Sequence, residues 1–403
     1  MKSDYDVIVV GSGPAGSSAA YAAASKDIKV AILEKDPHVA TSIRTSGVTW
    51  IDDMKKFSIP ENFYNKIKNY SFHSSNNKVL IKGNIPSAAV LDVRKTYTFL
   101  AKRAVDRGAH LFTNNNVTNV HLNKTQRLVN INKNKFTSKI VIDASGFSSV
   151  VARSLGLVKQ WKIFGTGAEY ESYAENIVPD TWSLMVGSKY SPSGYAWIFP
   201  VNKNVVRIGV GITRPYFTIN PIDQLNKIIQ NKTGPIKDLG KLNHIELHYG
   251  LIPNDGPVRN TVYDNILLVG DSAGYSNPLV LEGIRYAIKF GRIAGDVASK
   301  AIVEGNISKS FLLEYEKQWQ KLVYKKIISS YVIQKRWLKL SDDEWNKELN
   351  IIKNLTVYEL VNFMKSDFGL IDMIKFIKKN PHFVVRNFFQ VLHNTFSKSL
   401  LIN

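Results

Sequence analysis

The run Gly11-Ser-Gly13-Pro-Ala-Gly16, with Glu34 following at the end of the next apolar segment, brings together the residue types that hold a dinucleotide. Gly11 permits a tight turn, Gly13 lets a pyrophosphate come up against bare backbone, and Gly16 lets a helix lie close to its strand. Pro14 and Ala15 open that helix, whose N-terminus offers free N–H groups and the positive end of its dipole to phosphate. Glu34 can accept hydrogen bonds from a ribose 2′-OH, which favours an unphosphorylated adenine dinucleotide over NADP, and Lys35 follows it. The chain has no cysteine, so disulfides, thiolate metal sites and a catalytic thiol are excluded. No histidine pair stands at metal spacing, and His382 and His393 read as surface or capping residues, so no metal is expected.

These residues need a βαβ unit to position them. Val7 to Val10 form an apolar strand, the Ala-rich segment after Gly16 is helix-forming, and Lys29 to Leu33 form the second strand. Further along, 139–143 and 265–269 read as apolar strands, the first running into Ala144-Ser145-Gly146 and the second into Gly270-Asp271. The segment 194–200, Gly-Tyr-Ala-Trp-Ile-Phe-Pro, alternates so that Tyr195, Trp197 and Phe199 share one face of a strand. From 306 onward the pattern is helical, and Phe383, Phe388, Phe389, Leu392 and Phe396 recur at helical spacing. Packing on the body is the default for that face, with docking at a membrane interface as the alternative.

A chain of 403 residues can bury a large core and suggests two or three domains. The formal charge of +20 is spread along the chain, so a solvated basic surface is expected in place of a nucleic-acid site, with attraction to anionic lipid as the sharper alternative. No apolar stretch of roughly 18 residues is present, and none is expected to span a membrane. The expected location is the cytoplasm, with contact at the inner membrane face if the basic surface meets lipid. A monomer is expected.

Residues 264–304 resemble the second nucleotide motif of FAD enzymes in the glutathione-reductase-like superfamily. That resemblance makes FAD the expected cofactor and Asp271 the ligand of its ribityl chain, with Pro278, Gly283 and Ile284 along the flavin ring. It also implies an FAD contact for Arg94, although Arg94 falls one position late, and a backbone contact to adenine for Val117.

Four blocks carry a narrower likeness: GSGPAG with Glu34, residues 43–50 (IRTSGVTW), residues 192–211 (PSGYAWIFPVNKNVVRIGVG), and GDSAGYSNPLVLEGI. Together they resemble the geranylgeranyl reductase family, archaeal enzymes that saturate isoprenoid chains of membrane lipids, over residue 1 to about 330. The resemblance implies hydride from reduced flavin and an isoprenoid lipid substrate, with electrons from NAD(P)H or from a redox protein such as ferredoxin. It places Arg44 and Thr45 at the flavin and Tyr195, Trp197 and Phe199 at the substrate. The Tyr195 hydroxyl would relay a proton, Trp197 would offer π-density to a developing cation, and Thr45 would stand beside the reacting atoms. The alternative for the aromatic strand is that it fills the core of the covering domain.

Two departures stand out. The family usually has Cys-Gly-Glu-Gly after the arginine, where this chain has Thr45-Ser46-Gly47-Val48, and Thr is a very weak acid. The helix-side signature, often Gly-Gly-Gly-Ile or Gly-Glu-Gly-Ile, is Leu281-Glu282-Gly283-Ile284. A flavin monooxygenase or halogenase-like paralogue and a non-catalytic FAD-containing lipid or quinone carrier therefore stand as alternatives. A halogenase strand resembles Gly194 to Pro200, but the Gly-Trp-x-Gly-x-Gly block that goes with it is missing.

The expected architecture is α/β: a discontinuous Rossmann-type FAD-binding domain (1–70, 91–158, 255–305), an inserted antiparallel-sheet substrate domain (71–90, 159–254) and a C-terminal helical region (306–403).

Overall fold

The computed structural model describes residues 3–123, 126–131, 135–368 and 378. The aromatic stripe read at 383–396, with His382 and His393, lies outside the described residues.

The first sheet grows from the strand Tyr5–Val10. It pairs in parallel with Val30–Leu33 on one side and Lys135–Asp143 on the other, and these pair onward in parallel with His110–Phe112 and Ile266–Leu268. Strands buried on both faces read as continuous apolar runs, and Val7, Ile8, Val9, Val30, Ala31 and Ile32 are all buried. The helix Pro14–Ala23 covers one face and packs against Ile284–Val303. Their approach is set by glycine: a Cβ on Gly291 or Gly295 would stand 2.3 or 2.1 Å from the carbonyl oxygens of Ala15 and Ala19. Because Tyr5–Val10 and Val30–Leu33 are joined on one side of the sheet and Lys135–Asp143 follows on the other, a crevice opens at the carboxyl ends of the strands.

The second sheet has seven strands in the order Leu242–Pro253, Phe164–Ala174, Val205–Arg214, Gly194–Pro200, Thr181–Val186, Asn69–His73 and Lys78–Ile81. All its pairings are antiparallel except that of Thr181–Val186 with Asn69–His73. Asn69–His73 belongs to this sheet, so the boundary expected at residue 70 cuts a strand. A small antiparallel sheet of Val48–Trp50, Ala88–Leu91 and Tyr64–Ile67 lies between the two parts of the chain.

Helices Lys309–Trp337, Asp342–Ile352 and Val357–Met364 follow. The last two begin with capping boxes, Ser341 with Glu344 and Thr356 with Glu359, which satisfy N–H groups that helix ends otherwise leave free. Trp345, Leu349, Ile352, Leu360 and Met364 then close over Phe72, Leu184 and Trp197 in one apolar cluster. Among the described residues no helix is long and apolar enough to cross a membrane.

Candidate active site

The crevice of the first sheet is built around the glycine turn. Gly11 adopts φ +101°, and a Cβ there would stand 2.5 Å from the Ala144 carbonyl. A Cβ on Gly16 would stand 1.9 Å from the Gly11 carbonyl, whereas Gly13 faces open space within 4 Å. Bare backbone therefore lies where a pyrophosphate would approach. The helix starting at Pro14 has no side-chain cap, leaving its first N–H groups for an anion.

Glu34 stands at the crevice edge and is buried. Its Oε2 accepts from Ser12 N–H (2.9 Å) and Ser12 Oγ (2.6 Å), and Oε1 accepts from Asp36 N–H (2.9 Å). These three donors fix the carboxylate and leave acceptor capacity for a ribose. Pro14, Ala15, Lys35 and Val117 line the same crevice. At its far end Asp271 projects from the turn Gly270–Ala273, and burial pushes its carboxyl up to about 6. Tyr97, which sequence reasoning did not single out, also lines this crevice, with its hydroxyl pushed well up by burial.

A second cavity continues from the crevice. The two share Arg44, Thr45, Ile252, Leu281, Gly283 and Ile284, so Gly283 and Ile284, two of the three residues expected along a flavin ring, line the junction. Gly16 lies behind the crevice as the packing glycine. Two expected contacts fall elsewhere. Arg94 forms a bidentate pair with Glu246 at 2.9 and 2.7 Å on the surface, and Pro278 lines a third, apolar cavity.

The second cavity has the face of the seven-stranded sheet as its floor. Tyr195, Trp197 and Phe199 all face it, with Trp197 stacked on Phe199 at 5.9 Å and 15° and Tyr195 edge-on to Trp197 at 5.7 Å. Glycines Gly167, Gly209 and Gly211 on the neighbouring strands leave room for the Trp197 indole to lie across the sheet. The Tyr195 hydroxyl donates to the Val280 carbonyl at 2.6 Å, and burial pushes its pKa well up, so its proton is committed to holding the 280–284 loop. Thr45 Oγ1 accepts from the Gly47 N–H at 3.2 Å. Arg207, buried, donates to the Ser46 and Leu91 carbonyls at 2.9 Å each and to Glu171 at 2.8 Å, tying the 44–47 loop to the sheet.

The third cavity meets the second along Leu184, Gly194, Tyr195, Val280, Leu281 and Met364. Its walls are Trp337, Trp345, Leu349, Ile352, Leu360 and Phe363 from the terminal helices. An apolar channel thus runs from the flavin-side junction beneath Tyr195 to the helical region.

A family described as FAD dependent oxidoreductase matches residues 6–156, and one described as geranylgeranyl reductase catalytic domain matches residues 164–252. The chain is 31% identical over 372 residues to the digeranylgeranylglycerophospholipid reductase of Methanosarcina acetivorans, covering 88% of this chain and 90% of the relative. The chain belongs to the geranylgeranyl reductase family. As a member it is an FAD-dependent oxidoreductase, and the crevice fits that cofactor: open backbone at Gly13, Glu34 at one end and Asp271 at the other. A geranylgeranyl bacteriochlorophyll reductase-like protein of Thermoplasma acidophilum shares the fold, with a TM-score of 0.84 at 23% identity over 96% of this chain and 99% of that one. A halogenase solved with phloroglucinol and FAD is a more distant fold relative, with a TM-score of 0.64 at 18% identity over 82% of this chain and 76% of that one.

Sequence reasoning did not single out two buried polar features of the seven-stranded sheet: the pair Glu169 and His248, and Arg207. All three lie on strands of the same sheet as the family's aromatic motif. The signal available was a Glu and a His at positions of the same parity as the glycines in GTGAEYES and ELHYG, which puts them on the cavity face.

Proposed function

We propose that this protein saturates carbon–carbon double bonds in geranylgeranyl chains of an archaeal-type membrane-lipid precursor. The observation that carries the reading is the continuity of the apolar channel with the FAD crevice at the 280–284 loop, beneath the aromatic wall of Tyr195, Trp197 and Phe199. A long prenyl chain matches such a channel, whereas a small polar substrate would leave most of its walls uncovered.

Reduced FAD supplies hydride to one alkene carbon when bound. The protein's own groups align the partner atoms and exclude water. Glu34 and the free N–H groups after Pro14 would orient the dinucleotide, and Asp271, at the far end of the crevice, would hold its ribityl chain. The loop around Thr45, held by Arg207, closes one side of the junction. Trp197 and Phe199 present π faces to positive charge that develops on the alkene. Trp197, Trp337 and Trp345 keep the chain dry along its length.

A lipid substrate also places the enzyme at a membrane surface, where the +20 charge complements anionic headgroups. Sedimentation with anionic but not neutral vesicles is the expected outcome.

The test of the reaction is anaerobic. Flavin absorbance is recorded on the purified protein, dithionite reduces it, and a geranylgeranyl ether lipid is added. Flavin reoxidation matched by mass gains in two-hydrogen steps is expected. Flavin that stays reduced until air is admitted would overturn the reading and favour an oxygen-using paralogue.

A further inference from the structure

Saturating an alkene needs a proton as well as a hydride, and the family's usual thiol is replaced by Thr45. A row of buried groups on the cavity floor can meet that need. Register sets the row: His248 lies opposite Glu169, Glu169 opposite Gly209, and Gly209 opposite Trp197. With no side chain on Gly209, the Trp197 indole spans that strand and its Nε1–H donates to Glu169 Oε2 at 2.8 Å. Glu169 Oε1 lies 2.8 Å from His248 Nδ1. Both side chains are only 3% exposed, and both line the cavity that adjoins the flavin junction.

The row continues outward. His248 Nε2 is buried and lies 3.4 Å from Glu246 Oε2, whose carboxyl is held down chiefly by Arg94 and in part by His248. Glu246 is 32% exposed and pairs with Arg94, which itself faces solvent. The remaining charges near the row are Arg207, whose Nε is 3.8 Å from Glu169 and 2.8 Å from Glu171, and Glu171 itself. A carboxylate only accepts, so His248 Nδ1–H is the donor toward Glu169 Oε1, and Nε2 faces Glu246. Nε2 therefore faces the one carboxylate of the row that meets water.

We propose that Glu246, His248 and Glu169 form a proton relay from solvent to the cavity, and that Glu169 is the acid that protonates the alkene. This deepens the reductase reading and rests on it. A proton reaches His248 Nε2 through Glu246, the Nδ1 proton passes to Glu169 Oε1, Glu169 delivers it to the alkene carbon opposite the one that takes hydride, and reorientation of the imidazole restores a proton facing Glu169 before the next turnover. One π bond and the O–H bond of Glu169 break and two C–H bonds form; the hydride, hydrogen with its electron pair, would come from reduced FAD and the proton from solvent. Trp197 holds the second oxygen of Glu169 in place throughout, which makes it a positioning residue.

The test compares wild type with Glu169→Gln and His248→Gln. Because Glu169→Gln removes a buried charge beside Arg207, His248→Gln, which keeps a donor toward Glu169, is the variant that guards against loss of fold. Both should keep flavin absorbance and substrate KM. Single-turnover saturation should slow by about 100-fold or more in Glu169→Gln, with a smaller loss in His248→Gln and a changed pH profile in both. A readout independent of turnover is the 15N spectrum of histidine-labelled, flavin-free protein, where the signal lost in His248→Gln should be that of an imidazole protonated on Nδ1 and should shift in Glu169→Gln. Variants that saturate lipid at the wild-type rate and pH profile would overturn the relay and leave the reductase standing. An Nε2–H tautomer would overturn it too, and a wild-type enzyme that leaves the lipid intact would overturn both.

Discussion

The indole of Trp197 rests on the bare α-carbon of Gly209, so closely that a Cβ on Gly209 would stand 2.3 Å from the ring and 2.6 Å from the Cβ of Glu169. Neither neighbour can withdraw: the indole is held by Glu169 on one side and stacked on Phe199 on the other. Gly209→Ala should therefore cost roughly 1–3 kcal/mol of stability by overpacking. It should also break the Trp197–Glu169 hydrogen bond, so that turnover falls further than stability alone explains. Urea unfolding beside single-turnover kinetics checks both parts, and Gly167→Ala, whose Cβ would lie at an ordinary 3.7 Å from the indole, is the control.

Gly13 and Gly16 separate cofactor binding from folding. Gly13 has φ −62° and ψ −179°, which alanine adopts freely, and a Cβ there meets nothing within 4 Å. Gly13→Ala should fold with an unchanged melting temperature and purify without flavin, because its methyl group occupies the approach of the pyrophosphate. Gly16→Ala should lose the fold as well, since its Cβ would stand 1.9 Å from a backbone oxygen. Flavin absorbance and thermal melting of the two variants make the comparison.

The contrast between these glycines was legible in the sequence, because a βαβ unit puts each position of the fingerprint in a fixed place. The aromatic stripe was legible for a similar reason: alternation within one strand is local. The row from Trp197 to His248 was not, because Glu169 and His248 are 79 residues apart and meet only through strand register. Arg94, which the sequence places near the cofactor, is engaged instead with Glu246 on a strand far along the chain, a pairing that only the fold reveals. The boundary placed at residue 70 missed because the parallel pairing of Asn69–His73 with Thr181–Val186 leaves no mark in either segment.

Asp271 makes stability depend on pH. Burial raises its carboxyl from 3.8 to about 6, so the folded protein holds this proton more tightly than the unfolded chain does. The resulting stabilisation is full below the unfolded value and is lost as pH rises through about 6. Flavin-free Asp271→Asn, which never ionises, should be more stable than wild type at pH 7 by at most roughly 3 kcal/mol, and less where solvent reaches the carboxyl. The gap should close between pH 6 and 4. The same variant should bind FAD more weakly, having lost the charged acceptor. Melting of the flavin-free proteins across that range, with FAD titration at pH 7, tests the two effects separately.

Leu281 stands where the family signature usually has glycine, and its backbone is left-handed at φ +50°. An L-residue other than glycine pays about 1 kcal/mol or more for that conformation. Its neighbour Val280 is pinned by the Tyr195 hydroxyl, so the loop cannot relax into another shape. The side chain lies across the junction of all three cavities, and Leu281 Cδ1 would be 2.9 Å from a Cβ on Gly165. Leu281→Gly should relieve the strain while removing apolar contacts, leaving stability within about 1 kcal/mol of wild type. Leu281→Ala keeps the strain and loses the same contacts, so it should be the less stable of the two, the reverse of the usual order in a right-handed segment. Both should widen the passage between flavin and channel, raising KM for the prenyl lipid more than they lower kcat. Equal stability of the two variants would show that the backbone at 281 shifts out of the left-handed region once the leucine is gone.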